Sequence, residues 1–154
     1  MQREPWAINI LQKLIHHCRS AQNGYREAAE QTSDQELRAF LTEQSLERAE
    51  FASVLQLKVQ HLGEPDPTHR PAIVEAARQK WMELKREFSG SDKRLLEAIQ
   101  ESEERAGKDY EAALEQDLPD DLHGVLQQQM ETIKAARDHL RLLWEKLSGG
   151  EKAA

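Results

Sequence analysis

Tyr25-Arg26-Glu27-Ala28-Ala29-Glu30-Gln31 recurs as Tyr110-Glu111-Ala112-Ala113-Leu114-Glu115-Gln116, and the recurrence continues downstream. Leu37, Leu41 and Gln44 reappear as Leu122, Leu126 and Gln129, each 85 positions on and with no gap. Each copy reads as the end of one helix, a short turn and the start of the next. Two matching helical hairpins predict an all-α four-helix bundle, and the repeat marks the middle of that bundle.

The flanking periodicity extends the four helices. From Pro5, a residue suited to a first helical position, Leu11, Leu14, Cys18, Ala21, Tyr25 and Ala28 alternate spacings of three and four, so the first helix is expected to reach Glu30. Ser33-Asp34-Gln35-Glu36 has the form of a capping box for a second helix ending near Leu62, with a seam of Leu37, Leu41, Gln44, Arg48, Phe51, Leu55 and Leu62. Gly63, Pro65 and Pro67 interrupt the pattern. A shorter amphipathic stretch follows over about 71–88, with Ile73, Ala77, Trp81, Leu84 and Phe88 on one side. The third helix is expected over Asp92 to Gln116, with Leu96, Ile99, Glu103, Ala106, Tyr110 and Ala113 facing inward. Pro119, Asp120 and Asp121 open the fourth, which runs to Leu147 and stops at Ser148-Gly149-Gly150. This gives one domain over 1–148, made of a hairpin (5–62), a crossover (63–91) and a second hairpin (92–147), with 149–154 a frayed tail. The long link permits the crossover topology of ferritin-like folds. Simple counting from the turns places Trp6 and Trp144 at one end of the bundle.

Bulk properties narrow the function. A formal charge of −7 and a pI near 5.4 provide no electrostatic footprint for nucleic acid, and anionic membranes repel such a chain. No stretch is apolar for long enough to span a bilayer, and the first residues lack the pattern of a signal peptide. Cys18 is the single cysteine, read as a small buried residue rather than a reactive thiol. A cytoplasmic location is expected. The six histidines are adjacent or dispersed, fit no ligand spacing, and read as surface residues.

The middle of the repeat is polar. Equal heights bring Gln44, Arg48, Glu103 and Gln129 into one central region, with Tyr25 and Tyr110 one or two turns away. A buried charge needs a partner, so Arg48 and Glu103 are expected to pair, buttressed by the glutamines and a tyrosine hydroxyl. Ferritin-like di-iron proteins build a metal site in the same place, from a Glu on each of two helices and Glu-x-x-His on the other two. Glu103 and Tyr110 have a Glu-x6-Tyr spacing, but Glu-x-x-His is absent from the chain and the seam of the second helix carries Gln44 and Arg48. Were a metal bound, Glu103, Glu47 and Glu50 would be its ligands. No cofactor is expected.

The chain resembles a family of uncharacterised bacterial ferritin-like four-helix-bundle proteins, classed as a domain of unknown function. The resemblance runs from Ile8 to Leu143. It is carried by Gly24-Tyr25-Arg26-Glu27-Ala28-Ala29-Glu30, Phe51-Ala52 with Leu55-Gln56, Trp81-Met82-Glu83-Leu84-Lys85, Tyr110-Glu111-Ala112-Ala113-Leu114, Asp117-Leu118-Pro119, and Lys134-Ala135-Ala136 with Asp138. It implies a ferritin-like fold without an assigned activity. Family members often carry Glu where this chain has Gln22 and His where it has Arg137. The reading is therefore a non-catalytic bundle working through a protein partner or as a homo-oligomer such as a dimer, with no nucleic acid and no membrane. The alternatives are a degenerate metal-dependent oxidase or peroxide-handling protein, and a small-ligand binder using Gln44 and Gln129.

Overall fold

The computed structural model describes residues 5–63, 79 and 92–153, with side chains described as far as Leu147. Among the described residues four helices make up the fold: α1 (Pro5–Gln31), α2 (Gln35–His61), α3 (Asp92–Leu114) and α4 (Asp120–Ala153). The amphipathic stretch expected over 71–88, including Trp81, Met82 and Phe88, lies outside the described residues, as does nearly all of the crossover.

Local chemistry sets the helix ends. Asp34, not Ser33, is the N-cap of α2: its backbone is extended (φ −78°, ψ 117°) and its Oδ1 accepts from the Leu37 N–H at 3.0 Å. The start signal is thus one residue later than the capping-box spacing suggested. Arg38, one turn into α2, reaches back and donates to the Ala29 and Thr32 carbonyls, which closes the open end of α1. Gly63 ends the α2 region with φ 103°, donating its N–H to the Gln60 carbonyl at 3.0 Å; a left-handed residue here suits glycine. At the other turn α3 stops at Leu114, two residues short of the expected end, and the buried Leu118 anchors the connection. The fourth helix continues through Gly149 and Gly150 to Ala153. Glycine in a helix interior costs about 1 kcal/mol relative to alanine, which disfavours a helix without forbidding it.

Contacts between the hairpins give the direction of each helix. Tyr25 meets Glu103, Cys18 meets Tyr110, and Thr32 meets Asp92, so numbering rises along α1 as it falls along α3. Lys58 with Asp121 and Lys146 with Glu36 establish the same for α2 and α4. Neighbouring helices are antiparallel throughout, and the diagonal pair α2 and α3 is parallel. The end of α2 and the start of α3 therefore lie at opposite ends of the bundle.

That arrangement corrects one expectation. The α1–α2 turn is at one end and the α3–α4 turn at the other, so Trp6 and Trp144 are at opposite ends. Trp6 precedes Ala7, which belongs to the apolar cluster around the α3–α4 turn. Trp144 donates its indole N–H to Glu97 at 2.7 Å, with the Lys93 ammonium 5.0 Å from its ring, beside the α1–α2 turn. Counting from each turn fixes height within a hairpin, but it cannot say how the two hairpins are stacked.

Two apolar clusters fill the interior. One gathers Leu11, Leu14, Leu55, Leu122, Leu126 and Ile133 near the α3–α4 turn. The other gathers Leu37, Leu41, Leu96, Ile99 and Leu140 near the α1–α2 turn. Each contains one of the repeat tyrosines, Tyr110 in the first and Tyr25 in the second. Between them lies a layer of buried polar side chains.

Candidate functional site

Each polar side chain of the layer occupies a seam position where helical spacing calls for an apolar one. On α2, Gln44 and Arg48 are one turn apart, and both lie on the inward face with Leu41, Ala52 and Leu55. Arg48 is completely buried (0% exposed) and Glu103 nearly so (2%). Arg48 donates from Nη2 to Glu103 Oε2. The same carboxylate oxygen accepts the Tyr25 hydroxyl at 2.8 Å. Two aromatic rings flank the guanidinium, Tyr25 at 5.6 Å and Phe51 at 5.4 Å, and both present electron-rich faces to the cation. Burial works against the charge on Arg48, but Glu103, by charge and hydrogen bond, together with Tyr25 and Cys18 overcomes it and holds the guanidinium above its ordinary basicity. Burial also drives the Tyr25 hydroxyl well above its usual value, with the Glu103 charge adding to the effect.

On the other side of the layer, the Tyr110 hydroxyl donates to Gln129 Oε1 at 2.7 Å. Its oxygen lies 3.3 Å from the Cys18 sulfur. Tyr110 has given its one proton to Gln129, so the thiol is the donor in that contact. Burial pushes the Cys18 thiol up to about 11 and the Tyr110 hydroxyl well above its usual range. The thiol is thus protonated at neutral pH, and nucleophilic chemistry, which needs thiolate, is disfavoured.

The structure brings Tyr25, Arg48 and Glu103 together directly, and joins Tyr110 to Gln129. Both tyrosines belong to the layer itself rather than lying a turn or two beyond it. Cys18 is buried as expected, and its contact with Tyr110 makes it a further member of the layer. The repeat held the signal: Cys18 is the counterpart of Glu103, and Tyr25 of Tyr110, at the same 85-residue offset. The two hydrogen-bonded pairs, Tyr25 with Glu103 and Tyr110 with Cys18, therefore exchange under the internal repeat. Glu47 and Glu50 do not join Glu103: Glu47 is half-buried and Glu50 exposed, away from the inward face of α2. Among the described residues no three His, Cys, Asp or Glu side chains are grouped to hold a metal ion. No described helix is long and apolar enough to cross a membrane.

His17 and His123 are less peripheral than expected, whereas His139 is exposed. His17 is half-buried and contacts Asp109 at 2.5 Å, tying α1 to α3 beside Lys13. Partial burial raises the Asp109 carboxyl, but His17 and then Lys13 overcome this and hold it below its ordinary value. His123 contacts the Leu114 carbonyl at 3.0 Å, and His139 packs its ring 4.3 Å from Phe40. These side chains fasten helix ends and helix pairs to one another, which explains their dispersal.

A crevice of about 10 Å³ between α1 and α3, lined by Ser20, Gly24, Ala98 and Ser102 among others, leads to Glu103. That is about the smallest space able to hold one water molecule. No curated protein matches the chain. Residues 6–116, from the start of α1 to the turn after α3, match the model of a family described as a domain of unknown function (DUF2383), and the chain belongs to that family.

Proposed function

We propose that this chain is a non-catalytic bundle of ferritin-like topology that works through protein contacts, with an ion pair at the height where its metal-binding counterparts hold cations. One observation carries the reading: Arg48 lies against Glu103, the one carboxylate of the buried layer among the described residues. Di-iron bundles surround their metals with carboxylates from all four helices. Here a guanidinium neutralises the carboxylate instead, and its fixed charge repels an incoming cation. The parallel course of α2 and α3 supports the ferritin-like topology.

The contact reading rests on the outer surface. Leu46 (68% exposed) and Leu57 (56%) are eleven positions apart on α2, three helical turns, so they share its outward face. Leu142 and Trp6 add exposed apolar area elsewhere. Exposed apolar surface of this kind suits a protein partner or a second copy in the cytoplasm.

Metal content tests the core of the proposal. Protein purified without chelator or affinity tag, from cells grown with added iron and manganese, should carry no stoichiometric metal. A stoichiometric metal lost in Glu103→Ala would overturn the reading in favour of a metal-dependent oxidase. Size in solution and pull-down test the contact reading, and a strict monomer that captures nothing would sink it.

A further inference from the structure

The two copies of the repeat treat their glutamines differently. Gln129 Oε1 accepts the Tyr110 hydroxyl. Its counterpart Gln44 would receive Tyr25 in the same way, but Tyr25 donates to Glu103. Gln44 Oε1 is left buried with no hydrogen-bond partner in the protein. One turn along the same face, Arg48 uses only Nη2, and its Nε and Nη1 are likewise buried without partners. Gln44 is 8% exposed and Arg48 0%, so bulk solvent does not satisfy either group.

The chemistry of these atoms is complementary but needs an intermediary. Gln44 offers an acceptor and Arg48 offers donors, on residues i and i+4 whose side chains are neighbours on a helix. The rings of Tyr25 and Phe51 border the guanidinium, and the Tyr25 hydroxyl is within its reach, yet Nε and Nη1 still have no partner. A molecule that both accepts from Arg48 and donates to Gln44 satisfies the two at once. A fully deprotonated anion has no hydrogen to donate to Gln44, and a metal cation is repelled by Arg48. Water does both, and buried waters in proteins typically make about three such bonds.

We propose that the bundle centre is a structural water site, in which one buried water accepts from Arg48 Nε or Nη1 and donates to Gln44 Oε1. The site completes the Arg48–Glu103 pair and does not depend on whether the outer surface binds a partner.

A crystal structure at about 1.5 Å tests this directly, since resolution of that order shows ordered water. One density peak within hydrogen-bond distance of Gln44 Oε1 and of Arg48 Nε or Nη1 is expected, together with water-to-Arg48 cross-peaks in solution NMR. In Gln44→Met the peak and the cross-peaks should be lost, while the Tyr110–Gln129 bond persists. If Gln44 instead accepts directly from Arg48, or Glu103 takes a second Arg48 nitrogen and no peak is present, the proposal is wrong. The wild-type density decides the matter even if the Gln44 variant does not fold.

Discussion

The two halves of the central layer occupy matching positions of the internal repeat and differ in kind. One half holds Tyr25, Glu103 and Arg48, a charged triad sealed by aromatic rings. The other holds Tyr110, Cys18 and Gln129, with no charge, and Ile133 stands where the first half has Arg48. Backbone positions and tyrosines match between the copies, and their partners differ. The difference teaches that this layer requires complementarity, not a particular chemistry. The carboxylate at position 103 is neutralised by an arginine within reach, and the matching cysteine needs no counterion.

The largest expected effect is on the charged half. Arg48→Met or Glu103→Leu alone should cost about 3–5 kcal/mol, because each strands a buried charge, and the double variant should cost less than either. Denaturant unfolding of all four proteins gives the coupling. Additive losses would break the comparison, because both halves would then behave as ordinary core. Next come the apolar ends. Leu41 and Leu126 are repeat counterparts, both fully buried in their respective clusters. Replacing either with alanine should cost about 2–5 kcal/mol. Similar values would show that divergence is confined to the polar layer, whereas a large disparity would extend it to the cores.

Smaller effects separate the tyrosines. Tyr25→Phe removes a bond to a charged acceptor and should cost about 1.5–3 kcal/mol, against about 0.5–1.5 for the neutral bond lost in Tyr110→Phe. Equal losses would mean that Glu103 draws little from Tyr25. The last test uses alkaline pH. The Cys18 thiol ionises near 9.0 in the unfolded chain and only at about 11 when folded. The folded state therefore binds more protons between these values, and stability falls as pH rises through that window. Cys18→Ala should reduce this slope by up to about 1.4 kcal/mol per pH unit. An unchanged slope would show that the thiol is not buried as the structure has it.

Much of this architecture was legible before any coordinate. Period and punctuation gave the four helices, because Pro5, the polar residues at 33–36 and Gly63 act locally through caps and allowed dihedrals, although the cap itself proved to be Asp34. The polar layer was legible too, since Gln44, Arg48, Glu103 and Gln129 interrupt seams that are otherwise apolar. What escaped was relative placement. Trp6 and Trp144 were put at one end because turn-based counting holds no information about how hairpins stack. Cys18 was read correctly as a small buried residue, but its partner Tyr110, 92 residues away, was not legible. The end of α4 was misjudged because Gly149 and Gly150 only weaken a helix.

The opposed stacking of the hairpins has a consequence for exchange between molecules. Tyr25 with Glu103, Arg48 with Glu103, and Cys18 with Tyr110 all join one hairpin to the other. Nothing in those bonds requires that both hairpins belong to one chain. If two molecules traded their second hairpins, each would rebuild the same layer with a borrowed α3 and α4. The ion pair that fixes the fold of a single chain would then fasten two chains together, in a domain-swapped dimer with no new surface to evolve.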